Sequence, residues 1–147
     1  MNHTLLPVGF VAALVLFQPV PRDRPTNPAG RLVGHYTLVG GELPNGKSPS
    51  KSAIGARVQF TKDLVRSFDA RDNEQYVARY VLDTTQEPWV IHMTSVSPKA
   101  GDRADGIVAL EGDTLRLCYA LPGGKRPREF KTGDRLMLFT MKRDTKK

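Results

Sequence analysis

Two carboxylates, Glu111 and Asp113, bracket Gly112 in one short stretch. Paired carboxylates divide acid and base work when their surroundings push their pKa values apart. An Asp beside a Gly at a hairpin tip has a simpler use, because it satisfies the donors of the turn, and the turn role is the expectation here. Cys118 is the one cysteine of the chain, so neither an intrachain disulfide nor a thiolate zinc cluster is available. A nucleophilic thiol needs a lowered pKa and a neighbouring base. Leu117 and Tyr119 supply neither, and Cys118 reads as a small buried side chain. His35 and His92 stand far apart, with no H-x-H or H-E-x-x-H spacing, so no metal is expected. Gly123-Gly124-Lys125 lacks the Ser or Thr and the strand-to-helix setting of a phosphate cradle. No cofactor is expected.

The remaining chemistry is basic. The chain of 147 residues has a formal charge of +7, and residues 122–147 hold nine basic side chains against three acidic ones. Within that stretch Arg126 and Arg128 flank Pro127, a pair suited to an anionic ligand at a rim. Phe130 can tuck apolar surface under the loop that carries them. A positive field of this kind attracts nucleic acid, anionic headgroups or an acidic polymer of the cell envelope. Single-stranded nucleic acid calls for aromatics interleaved with the basic residues. Only Phe130 and Phe139 lie in that stretch, so nucleic acid is disfavoured.

The elements that must hold these residues have a period of two. Eight candidate strands follow one another: Arg31 to Val39, Ala56 to Phe60, Leu64 to Phe68, Tyr76 to Leu82, Pro88 to Thr94, Gly106 to Leu110, Thr114 to Tyr119 and Arg135 to Arg143. No amphipathic helix of ordinary length interrupts them. Hairpin-length connections make neighbours antiparallel. Eight such strands close into an up-and-down barrel, which removes exposed edges. A two-sheet sandwich and a five-stranded oligonucleotide-binding barrel are the alternatives, and the strand count disfavours the second. A barrel of this size is filled by side chains or holds one small ligand. The expected lining is Tyr80, Ile91, Leu117 and Leu138.

The start of the chain is different. The first 21 residues contain no Lys, Arg, Asp or Glu, and Leu5 to Phe17 is an apolar run of 13. That suits the core of a secretory signal and is shorter than the ~20 residues of a spanning helix. Residues 1–21 are therefore expected to be a signal peptide, 22–30 a Pro-rich linker, 31–143 the barrel domain and 144–147 a basic tail. Export to the periplasm or beyond is the expectation, and a retained membrane anchor the alternative.

The ordered motifs G-I-V-A-L-E-G-D-T-L-R-L-C over Gly106 to Cys118, R-P-R-E-F over Arg126 to Phe130, and M-K-R over Met141 to Arg143 carry a resemblance. Together with Tyr80 to Asp83 and Pro88 to Ile91, they resemble an uncharacterised family of small exported domains, abundant in planctomycete bacteria and regarded as lipocalin-like. The resemblance spans about residues 31–143. Val108 stands in place of an aromatic, Glu111 of an Asp, Met141 of a Leu, and Tyr36 of the Trp in a G-x-W opening. It implies a lipocalin-like barrel in which Tyr36 packs under Arg143 as a structural closure. With that fold, the expected function is binding of a small apolar or amphipathic ligand without catalysis. The rivals are a packed-barrel scaffold that meets an envelope partner through its basic rim and, less favoured, an enzyme.

Overall fold

The structure is a computed structural model that describes residues 28–145. The expected signal peptide, the linker up to residue 27 and the last two residues of the basic tail lie outside the described residues.

Eight strands make up the fold: β1 Gly34–Glu42, β2 Arg57–Phe60, β3 Leu64–Phe68, β4 Glu74–Asp83, β5 Trp89–Ser97, β6 Arg103–Glu111, β7 Thr114–Ala120 and β8 Leu136–Arg143. Each pairs antiparallel with the next, and β8 returns to β1, so the sheet is a closed up-and-down barrel of the lipocalin-like type. Among the described residues no helix is long and apolar enough to cross a membrane. β6 and β7 are joined by Gly112-Asp113. Gly112 has a φ of +59°, which the first central residue of so tight a hairpin requires.

Strand pairing decides which side chains point inward. Directly paired residues share a face of the sheet, so Tyr36–Val58, Tyr80–Met93 and Val108–Leu117 mark the interior. That interior is one cluster containing Tyr36, Leu38, Phe60, Tyr80, Ile91, Met93, Val108, Leu115, Leu117 and Met141. Its centre is aromatic. The Phe60 ring meets Tyr36 edge-on at 5.8 Å and Tyr80 at 5.5 Å, the geometry that aromatic quadrupoles favour.

The end of the barrel where β1 starts is closed by a 3-10 turn, Pro28–Leu32. This turn replaces the expected beginning of the first strand at Arg31. Its cause is Leu32, which is fully buried in the core cluster and could not reach it from a strand continuing along the wall.

A second apolar layer lies outside the barrel. Val90, Ile107, Cys118 and Ala120 are buried yet do not belong to the interior cluster. They are on the outward side of β5, β6 and β7, where Val90 pairs with Ile107 and Ile107 with Cys118. The long connection from β7 to β8 folds back over them, with Pro127 buried. Cys118 Sγ donates to the Lys131 carbonyl of that connection at 3.4 Å.

This layer corrects one expected lining residue. Leu138 pairs with Cys118, while Phe139 pairs with Leu117. Leu138 therefore faces outward, and Phe139 takes the inward position. Alternation alone leaves the two phases of β8 equivalent, because both of its faces are apolar.

Candidate functional site

Tyr36 and Arg143 are brought together at the closed end. Tyr36 Oη donates to the Leu32 carbonyl at 2.8 Å, and Arg143 Nη2 donates to Tyr36 Oη at 2.8 Å. The same guanidinium donates to the Arg31 carbonyl and lies 5.3 Å from the centre of the Tyr36 ring. One side chain from the last strand thus locks both the first strand and the 3-10 turn. Burial pushes the Tyr36 phenol up, and the hydrogen bond and charge of Arg143 oppose that rise. Arg143→Met removes two hydrogen bonds made by a charged donor and a cation–π contact, and is expected to cost about 1.5–3 kcal/mol. Arg143→Lys should recover little, because an ammonium has no flat guanidinium to stack against the Tyr36 ring. Thermal melts of the two variants check this; an unchanged Tm would show that the lock contributes nothing.

The other three expected lining residues, Tyr80, Ile91 and Leu117, do point into the barrel, each no more than 5% exposed. A void large enough for water would leave its walls exposed. Values this low mean that neighbouring side chains fill the space at their level. Tyr80 Oη spends its donor on the Thr61 carbonyl at 2.5 Å.

Toward the opposite end the filling is looser, with Tyr119 and Phe139 partly buried and their rings 6.1 Å apart. Burial pushes the Tyr119 phenol up to about 12, helped by Tyr76 nearby. The folded protein therefore keeps this proton where the unfolded chain, titrating near 10, has lost it. The contribution is intact below pH 10 and declines as pH rises toward 12. Over that window the wild type should lose about 2–3 kcal/mol relative to Tyr119→Phe. Urea denaturation of both proteins from pH 9 to 12 checks it, and parallel curves would exclude a buried phenol.

The expected anion pair lies elsewhere, on the outer wall. Arg126 and Arg128 border a groove of about 310 Å³ whose other residues are Gln86, Glu87, Pro88, Val90, Ile107 and Pro127. Val90 and Ile107 form an apolar floor, the two arginines one wall, and the β4–β5 turn the other. Neither arginine has a hydrogen-bond or ion-pair partner among the described residues.

Both walls are held by local contacts. Asp83 accepts hydrogen bonds from Thr85 Oγ1 at 2.5 Å, Thr85 N at 3.0 Å and Gln86 Nε2 at 2.9 Å. Those bonds, with the Thr85 hydroxyl foremost, hold its carboxyl below the usual range and fix the turn. On the other side, Phe130 lies under the Arg116 guanidinium at 4.6 Å and anchors the loop. Arg116 also donates to Glu111 at 3.1 Å. Glu111 is thereby committed to an ion pair.

Sequence reasoning placed the two arginines on a rim and missed the opposing Gln86–Pro88 wall. No spacing signal connects it to a loop so distant in the chain.

His92 Nδ1 and Asp105 Oδ1 lie 2.7 Å apart on the exposed outer face. His35 is on another strand and does not approach them. Among the described residues no group of three or more His, Cys, Asp or Glu is placed to hold a metal ion. Burial pushes the Cys118 thiol up, the opposite of what a nucleophile needs.

No protein-family model matches the chain, and no curated protein or solved structure matches it.

Proposed function

We propose that this protein is a non-catalytic binding module in which the packed barrel is a rigid scaffold and the outer groove is the recognition site. The ligand is small, anionic and amphipathic. Its charged group meets Arg126 and Arg128, and its apolar part lies on Val90 and Ile107. In this reading the protein is exported, as its apolar leader suggests, and belongs with the small exported lipocalin-like domains its motifs resemble.

The observation that carries the proposal is two unpartnered arginines over an apolar floor, in a groove of about 310 Å³. That volume is at the lower end of the range for small-molecule sites. A charge-assisted hydrogen bond contributes about 1.5–3 kcal/mol, so losing both arginines should be felt as at least a tenfold change. The packing around Tyr80, Ile91 and Leu117 favours this groove over a ligand deep in the barrel.

The test is a titration with anilinonaphthalene sulfonate, an anionic amphipathic fluorophore, followed by displacement with dodecanoate. The wild type should saturate at one site, and Arg126→Gln/Arg128→Gln should bind at least tenfold more weakly with an unchanged Tm. Equal binding by the double variant would overturn the groove as the site. Loss of binding in Leu117→Trp alone would place the ligand inside the barrel instead. N-terminal sequencing of the mature protein tests export, and a retained Met1 on soluble cytosolic protein would refute it.

A further inference from the structure

Among the described residues four Lys or Arg side chains have a carboxylate partner: Arg57 pairs with Asp72, Arg116 with Glu111, Lys99 with Asp102 and Lys131 with Glu129. Three arginines on the outer wall of β3, β4 and β6 do not. Among the described residues Arg66, Arg79 and Arg103 make no ion pair or hydrogen bond.

Strand register sets these three side by side. Arg66 is opposite Val77, and Arg79 is opposite Leu64, so the two arginines are diagonal neighbours on adjacent strands, about 7–8 Å apart at Cα. Arg79 is opposite Thr94, and Thr94 is opposite Arg103. Arg79 and Arg103 therefore flank the exposed Thr94, about 10 Å apart across two strand spacings. The inward neighbours Val65 and Ala78 pack on the core, which sends Arg66 and Arg79 outward.

Like charges on adjacent strands repel, so an unneutralised row of this kind is unfavourable for the isolated fold. Arg66 adds an independent observation. Its Nε is buried with no hydrogen-bond partner, although a buried donor is nearly always satisfied in a folded protein.

We propose that Arg66, Arg79 and Arg103 form a binding stripe for a linear polyanion, with Thr94 as an additional hydroxyl donor between two of them. The stripe carries no aromatic ring, so it reads the repeating charge of a polymer backbone and not stacked bases. It runs obliquely across a curved wall and carries no Trp, Tyr or Phe to enter a bilayer interface, so it fits a single strand and not a lipid surface. The stripe is separate from the Arg126–Arg128 groove and does not depend on the function proposed there.

The experiment is fluorescence anisotropy with end-labelled short-chain polyphosphate across a salt series. Oligothymidylate and phosphatidylglycerol vesicles serve as comparison ligands. Wild-type log K should fall linearly with log salt. Arg66→Gln/Arg79→Gln/Arg103→Gln should bind at least tenfold more weakly, with a salt slope shallower by about two to three. Arg79→Gln/Arg103→Gln, which leaves the part-buried Arg66 in place, should give an intermediate loss and guards against a folding defect in the triple variant. Arg126→Gln/Arg128→Gln should retain polyphosphate binding, which separates failure of the stripe from failure of the groove. Unchanged binding by the triple variant would overturn the proposal. So would a preference for oligothymidylate of tenfold or more, or binding to vesicles without binding to polyphosphate.

Discussion

Phe60→Ala is expected to cost about 3–5 kcal/mol, the range for removing a large buried aromatic. Phe60 is 1% exposed and stands between Tyr36 and Tyr80, touching each ring edge-on. Two features raise its weight. β2 has only four residues, and Phe60 is its one fully buried side chain, so little else fastens that strand to the core. Phe60 also pairs with Gly34 at the start of β1, beside the Arg143 lock. A cavity there loosens the first turn of the barrel as well as its centre. The Tm should fall by roughly 10–20 °C. Val81→Ala, at a side chain 67% exposed, should change stability by no more than about 0.5 kcal/mol. Urea denaturation of the two variants provides the comparison. A loss below about 1 kcal/mol for Phe60→Ala would mean that the aromatic centre is not close-packed.

Gly106→Ala is the second large effect, and its origin is proximity. A Cβ at Gly106 would lie 2.4 Å from the Cys118 carbonyl oxygen and 2.7 Å from Tyr119 Cβ. Neither atom is the far end of a flexible side chain, so β6 and β7 must separate. Overpacking against atoms that cannot yield costs about 3 kcal/mol or more. The strain should reach the outer layer, because Ile107 and Cys118, the next pair along, are buried beneath the β7–β8 connection. In the wild type the Cys118 thiol should react slowly with a disulfide reagent, being buried and raised in pKa. In Gly106→Ala it should react faster under native conditions. Gly112→Ala makes a useful contrast: nothing lies within 4 Å of its Cβ, and only its φ of +59° is unfavourable, at about 1–2 kcal/mol. Equal stability of the wild type and Gly106→Ala would refute the close approach of β6 and β7.

Much of the barrel was legible because a half-buried strand writes its period into the sequence. Ala56 to Phe60 alternates cleanly, and Glu111-Gly112-Asp113 marks its own turn. β8 was harder. Leu136 to Met141 is apolar on both faces, since its inner residues meet the core and Leu138 meets the layer under the long connection. A period of two cannot show its phase when both faces are buried. The 3-10 turn at Pro28–Leu32 was missed for a related reason. Leu32 looks like one more strand residue until there is a barrel end for it to fill.

The candidate site divides in the same way. Arg126 and Arg128 stood out because Pro127 between them and the basic run around them are local features. The floor under them and the Gln86–Pro88 wall opposite come from other parts of the chain. Their meeting depends on β4 and β5 being neighbours and on the β7–β8 connection folding outward. Likewise, the arginines at 66, 79 and 103 are unremarkable along the chain, each surrounded by residues of other kinds. Only strand register makes them neighbours.

By itself, then, the sequence determined the all-β class, the strand count and the basic loop, because period, turn residues and charge are properties of short segments. The tertiary structure alone decided which faces are inside, how the barrel end is closed, and which basic groups converge. Those depend on register and on packing between segments far apart in the chain, and no local pattern encodes the distance between two side chains that only folding brings together.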